Sequence, residues 1–245
     1  MMKLFAALLC VFTGFAHAEP ALMTDLALPY LAADPAGAQA ERKDKPLVIF
    51  LHGYGSDERD LFGIKSELSP DYEYLSVRAP LEVDGGGYKW FTQDADQAQY
   101  EGVTSDVDRS TDMLRTFIEQ ATEKYHTQPD KVVLIGFSQG AMMSYQIGLQ
   151  HPELVRAIAP LSGKILAPLA ARLKPDERLN ALKVFIGHGS ADIRVPFTGA
   201  SDAKTLLENL MISPEFHAYA GAGHTITPAE IADLKRWLDG VLKAH

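Results

Sequence analysis

The sequence predicts a single α/β domain, with a mostly parallel central sheet and helices on both faces. Three observations carry that prediction. Apolar runs of strand length recur without internal polar alternation, the mark of strands buried on both faces. Segments with helical periodicity separate them. No repeat, low-complexity tract or long linker interrupts residues 46–245, so the alternation belongs to one unit. At 245 residues, with 47% hydrophobic and 22% charged content, the chain carries enough apolar surface for one such core.

The first residues follow another pattern. Lys3 precedes an apolar run over residues 4–15, and Ala16-His17-Ala18 follows it. A basic start, a short apolar stretch and a small-x-small site make up a secretory signal peptide. The run is far below the roughly 20 residues needed to span a bilayer. Residues 1–18 are therefore expected to be removed, leaving residues 19–245 as the domain, periplasmic or secreted, with no stable membrane insertion. Cys10, the single cysteine, would leave with the signal. One cysteine already excludes an internal disulfide framework, a zinc ribbon and a CxxC redox site.

Residues 19–45 are rich in Ala, Pro, Gly and charge, and residues 32–38 predict a turn-rich lead-in. Strands are expected at Leu47–Leu51, 74–77, 132–135, Ala157–Leu161, 184–186 and Glu215–Tyr219. Ser105-Asp106-Val107-Asp108 predicts an acidic capping box opening a helix. Val107, Leu114, Ile118, Ala121 and Tyr125 then keep the 3.6-residue period of a buried stripe. The last helix has a stronger start: Thr227 as N-cap, Pro228 at the first helical position and Glu230 closing the box. Ile231, Leu234, Leu238 and Val241 mark its buried side.

Gly136-Phe137-Ser138-Gln139-Gly140 joins the strand at 132–135 to a helical run that begins at Ala141. A G-x-S-x-G sequence alone is weak evidence; between a strand and a helix it is much stronger. That setting forces the serine into a sharp, strained turn that exposes its Oγ. Glycines two residues to either side remove the Cβ atoms that would clash as strand and helix close together. A nucleophilic serine needs a base, and the base needs an acid to orient it. On sheets of this kind they follow in the order Ser, Asp or Glu, His. Asp192 follows the strand at 184–186 within Gly187-His188-Gly189-Ser190-Ala191-Asp192, and His224 follows Glu215–Tyr219 within Gly221-Ala222-Gly223-His224. All three lie past carboxyl ends of strands, where open α/β sheets collect their sites.

The other histidines fit less well. His126 and His151 stand at expected helix ends, and His217 falls within a strand. His188 comes too early in the chain for the base and is expected to shape the loop of Asp192. An oxyanion needs preorganised donors. The N–H of Gln139, at a helix N-terminus, is one candidate; the N–H of Tyr54, in His52-Gly53-Tyr54-Gly55 after the first strand, is the other. Gly85-Gly86-Gly87 precedes Tyr88, Trp90 and Phe91 past another strand end. These aromatics are candidate substrate-binding residues, expected to wall an acyl pocket unless Trp90 and Phe91 pack into the core.

Leu51-His52-Gly53-Tyr54-Gly55, Arg78-Ala79-Pro80, Gly136-Phe137-Ser138-Gln139-Gly140, His188-Gly189-Ser190-Ala191-Asp192 and Gly221-Ala222-Gly223-His224 occur in one order. Together they resemble the phospholipase/carboxylesterase family of α/β-hydrolases, which includes the acyl-protein thioesterases. The resemblance covers nearly all of residues 46–242. It implies an α/β-hydrolase fold, a triad of Ser138, Asp192 and His224, and an oxyanion hole from Tyr54 and Gln139. Tyr54 replaces a leucine frequent in the family, and Thr92 replaces an aspartate frequent after the Trp-Phe pair. A signal peptide is unusual beside the cytosolic thioesterases.

The expected function is thus that of an exported serine carboxylesterase acting on small-molecule esters with short to medium acyl chains, lysophospholipids among them. A peptidase or polyester depolymerase of the same fold is the alternative within hydrolases; a non-catalytic binding protein is the alternative outside them. No H-E-x-x-H or glycine-rich phosphate loop occurs, so neither a metal nor an organic cofactor is expected. A formal net charge of −9 argues against non-specific nucleic-acid binding and against docking on anionic membranes. Oligomeric state is not legible.

Overall fold

The computed structural model describes residues 20–33, 44–93 and 101–243. The expected signal segment at 1–18 and residues 34–38 of the expected lead-in lie outside the described residues.

The apolar runs of the central strands become strands because both of their faces find cover, whereas the edge run Glu215–Tyr219 is only partly covered. The main sheet contains β1 (Tyr30–Ala32), β2 (Leu47–Leu51), β3 (Glu73–Val77), β6 (Val132–Phe137), β7 (Ala157–Leu161), β8 (Lys183–Gly189) and β9 (Glu215–Tyr219). The spatial order is β1-β3-β2-β6-β7-β8-β9. Edge strand β1 runs antiparallel to β3, and every other neighbouring pair is parallel. A two-stranded hairpin, β4 (Leu81–Glu82) and β5 (Tyr88–Lys89), stands apart.

The period-2 alternation of side chains divides the core in two. From β2, Leu47, Ile49 and Leu51 join Leu134 and Ile186 on one face. There they meet α1 (Thr104–Lys124), α2 (Gln139–Gln150) and α4 (Thr198–Asn209) through Phe117, Tyr145 and Leu207. Val48 and Phe50 point the other way, joining Val133 and Phe185 beneath α5 (Pro228–Leu242). A short helix, α3 (Ala167–Ala170), follows β7. Full burial of each such side chain contributes about 1.5–3 kcal/mol, so the two faces together supply most of the folding drive. This is the single-domain α/β-hydrolase arrangement.

Three local expectations change. The lead-in contains β1, which pairs with β3 from Tyr30↔Val77 to Ala32↔Leu75. The β4–β5 hairpin has too few residues per strand for a periodicity to show. At α1 the N-cap is Val103, with no side-chain cap, so Ser105 closes no capping box. Asp106 instead accepts a hydrogen bond from the Thr92 N–H at 2.9 Å, so its carboxylate ties the helix to the preceding segment. At α5 the box is present in full, with Thr227 and Glu230 bonded reciprocally.

Candidate active site

Ser138 stands between β6 and α2 at φ 55° and ψ −115°. A non-glycine residue in that region is strained by about 1–3 kcal/mol, and such strain persists only where the surroundings enforce it. Here they do. The Ser138 N–H donates to Leu161 O at 3.0 Å, and its carbonyl accepts from Met142 N at 3.1 Å. A Cβ on Gly136 would overlap the carbonyl of Gly140, and one on Gly140 would overlap that of Leu51. Both glycines are therefore required by backbone contact. The turn thrusts the serine hydroxyl clear of the sheet.

Two loops bring partners to it. His224, after β9, accepts the Ser138 hydroxyl proton at Nε2, 3.0 Å from Oγ. Its Nδ1–H donates to Asp192 Oδ2 at 2.7 Å, and that bond fixes the tautomer. The Asp192 side chain is fully buried, and its other oxygen accepts from the N–H groups of Arg194 at 2.8 Å and Val195 at 2.9 Å. Those two amides tie the carboxylate to its own loop. His188, also fully buried, donates from Nε2 to Val195 O at 2.9 Å and lies 3.4 Å from Asp192 Oδ2. Burial pushes its pKa below the usual histidine value, so it serves as a neutral brace to the loop.

On the other side of Ser138 lie Tyr54 and Gln139. The N–H of Gln139 opens α2 and has no carbonyl partner within the helix. Tyr54 sits in the turn after β2, where Gly53 passes so near that a Cβ there would lie 3.2 Å from Ser138 Cβ. Several contacts hold this turn. His52 donates from Nδ1 to Gly53 O at 2.7 Å and accepts from Ala79 N at 3.1 Å. Burial keeps its pKa low, hence the ring neutral and this bonding pattern intact. Gly55 N donates to Tyr88 O at 2.8 Å, and Tyr88 N to Ser56 O at 2.7 Å, so the hairpin clamps the turn.

The three aromatic candidates separate. Trp90 is fully buried; its Nε1–H donates to His52 O at 2.9 Å and its N–H to Gln139 Oε1 at 3.0 Å. The Gln139 amide group donates in turn to Phe91 O at 3.0 Å. Trp90 is thus a core residue that joins the two loops, which corrects the expectation that it lines the pocket. Tyr88 is half-buried, with its ring against Arg78 at 4.5 Å and its hydroxyl accepting from that guanidinium at 3.1 Å. It too lies outside the pocket lining. Arg78 is engaged further by buried Glu58 through bonds of 2.6 and 2.7 Å. Burial pushes the Glu58 carboxyl up, but Arg78, backbone and Arg59 outweigh it and hold it below the usual carboxylate range.

Of the three, Phe91 alone borders the cavity, although it too is buried in the core. That cavity, of about 360 Å³, is lined by Tyr54, Phe91, Phe137, Ser138, Met142 and His224 among others, with Asp60 and Arg194 also on its wall. Another groove of about 410 Å³, between α3 and α4, is lined by the Glu101–Lys164 ion pair and apolar side chains. Its lining also includes Thr198 and Asp202 but no serine, cysteine or histidine. Sequence reasoning missed the bracing roles of His52 and the Gln139 side chain and the place of Arg194. The first two depend on contacts between distant segments. Only Arg194, two residues past Asp192, had a positional clue. Among the described residues no three His, Cys, Asp or Glu side chains are grouped to hold a metal, and no helix is long and apolar enough to cross a membrane.

Comparison with known proteins places this geometry in company. A family model described as phospholipase/carboxylesterase matches residues 33–242. Acyl-protein thioesterase 1 of Mycosarcoma maydis is 32% identical over 230 residues, covering 83% of this chain and 94% of that protein. A protein of Nocardia uniformis subsp. tsuyamanensis named as an esterase is 29% identical over 174 residues, which cover 71% of this chain and 47% of its own length. Among solved structures, esterase PE8 superposes with a TM-score of 0.75 at 32% identity, covering 89% of this chain and 100% of that one.

Proposed function

Because the chain belongs to the phospholipase/carboxylesterase family, we propose that it is an exported serine carboxylesterase working through an acyl-enzyme on Ser138. The observation that carries this reading is the continuous relay from Ser138 Oγ through His224 to Asp192, at 3.0 and 2.7 Å. Ser138 Oγ attacks the ester carbonyl carbon as His224 Nε2 takes its proton. Asp192 keeps Nδ1 protonated and stabilises the imidazolium that forms. The tetrahedral oxyanion rests on the N–H groups of Gln139 and Tyr54, which point their dipoles before reaction begins. His224 then returns the proton to the alcohol oxygen as the C–O bond breaks. Water, deprotonated by the same Nε2, attacks the acyl carbon; the C–Oγ bond then breaks, His224 returns the proton to Ser138 Oγ, and the acid leaves.

The acyl group belongs against Phe91, Phe137 and Met142, an apolar wall suited to short or medium chains. Small-molecule esters, lysophospholipids among them, are the proposed substrates. The signal pattern at residues 1–18 supports a periplasmic or secreted location. The relatives' thioesterase names fit the same acyl-enzyme chemistry.

A fluorophosphonate probe tests the core of the proposal. The wild-type chain should be labelled at Ser138 and should hydrolyse p-nitrophenyl butyrate. Ser138→Ala should fold normally, take no label and lose activity by about 10⁴-fold or more. An unlabelled wild type, or a Ser138→Ala variant that keeps its rate, would remove Ser138 from the chemistry.

A further inference from the structure

We infer that Arg194 determines specificity, selecting esters that carry a carboxylate or similar anionic group within reach of the pocket wall. The inference rests on the esterase reading above and concerns the substrate class of that same site.

Arg194 lines the cavity that holds Ser138, Gln139 and His224. Its backbone is fixed by the relay: its N–H donates to Asp192 Oδ1, and the next N–H, of Val195, does the same. The Arg194 side chain is exposed and enters no hydrogen bond or ion pair among the described residues. Five other arginines, Arg59, Arg78, Arg115, Arg178 and Arg236, each pair with a carboxylate, and of the described arginines only Arg194 lines this cavity. A guanidinium held at the site and left without an internal partner is a donor fork turned toward whatever enters. Its planar N–H groups match a carboxylate with two parallel bonds.

The surrounding charge sharpens this. The chain has a formal net charge of −9, so an anionic ester approaches against the general field and gains only where a cation faces it. Among the described lining residues Arg194 is the one permanent cation and Asp60 the one carboxylate. They stand on different loops: Arg194 on the loop of Asp192, Asp60 on the loop of Tyr54. The pocket therefore has an electrical orientation. An anionic group is drawn to the Arg194 side and repelled from the Asp60 side, while the apolar body of the ester lies against Phe91, Phe137 and Met142.

The test compares matched esters that differ in one carboxylate. Mono-p-nitrophenyl adipate against p-nitrophenyl hexanoate places the charge on the acyl side; p-acetoxybenzoate against its methyl ester places it on the alcohol side. The readout is the ratio of kcat/KM, charged over neutral, for each pair. Arg194→Gln should lower that ratio about tenfold or more in at least one pair, and the affected pair identifies the side that carries the anion. Arg194→Lys, which keeps the charge and loses the fork, should fall between. Added salt should lower the wild-type ratio and leave that of Arg194→Gln nearly flat, and Asp60→Asn should raise it. Ratios indifferent to Arg194 in both pairs, with the neutral esters turned over, would overturn the inference and leave the esterase reading standing. No turnover of any ester together with no probe label on Ser138 would overturn the esterase reading, and the inference with it.

Discussion

The two sides of the site are built differently. Ser138, Asp192 and His224 each hang from the carboxyl end of a strand, on loops whose geometry is set nearby in sequence. Asp192 is tied to the N–H groups two and three residues on, and Ser138 is forced by glycines two residues away. The opposite side, around Tyr54, is assembled from segments far apart: Trp90 bonds to His52, 38 positions away, and to Gln139, 49 positions away. The relay is a local construction carried by a common sheet; the oxyanion side is a tertiary one. The first kind can be lost chemically without loss of fold. The second cannot.

The largest effect should come from the relay. Asp192→Asn keeps the size of the side chain but lets His224 adopt the tautomer with Nε2 protonated, which no longer accepts from Ser138. Activity on p-nitrophenyl butyrate should fall by up to about 10⁴-fold, with the thermal midpoint changed little by comparison. A near-normal rate would show that another group orients His224, and the contrast between the two sides would lose its chemical half.

Trp90→Ala probes the other side. Removing a fully buried tryptophan costs about 3–5 kcal/mol, and here it also strips a donor from His52 O. The thermal midpoint should drop on the order of 10 °C. The preference among acyl chain lengths should keep its shape, because Trp90 lies outside the cavity lining. A shifted chain-length profile at an unchanged midpoint would return Trp90 to the pocket wall.

This contrast also explains what the sequence made legible. Strands β2 and β7 have the bounds read from their apolar runs, because burial on both faces leaves a continuous signal. Edge strand β9, with a mixed sequence, also has the bounds expected, although none of its residues is fully buried. The serine turn and the order Ser, Asp, His needed only strand ends and spacing. Trp90 and Tyr88 misled because an aromatic residue beside a glycine-rich turn carries no record of which way it faces; His52 O and Arg78 decided that. Ser105 misled for a related reason: a capping pattern one residue inside the helix gives way once Asp106 finds Thr92 N. Strand β1, three residues long, and the two-residue strands of the hairpin are below the length at which periodicity exists at all.

The smallest predicted effect lies under the relay, where a legible motif has an illegible consequence. Glu230 closes the capping box of α5, six residues after His224, and the sequence alone would leave it in solvent. In the fold it is fully buried, with one oxygen accepting from Thr227 N and the other, Oε1, unpartnered against Gly187 of β8. Burial pushes its carboxyl from 4.5 up to about 7, with Asp233 adding to the rise and the Thr227 N–H opposing it. The folded state thus holds a proton that the unfolded chain releases at lower pH. Stability is full below pH 4.5, declines as pH rises toward 7, and is level above that. At about 1.4 kcal/mol per pH unit, the loss by pH 8 reaches up to about 3 kcal/mol. Glu230→Gln cannot ionise and should lack this decline. Thermal midpoints measured from pH 4 to pH 8 should show the wild type falling relative to the variant across that window, with the difference constant beyond it. Parallel curves would mean that Glu230 is charged throughout. The capping box would then hold a solvated carboxylate, and the histidine loop would rest on a purely local cap.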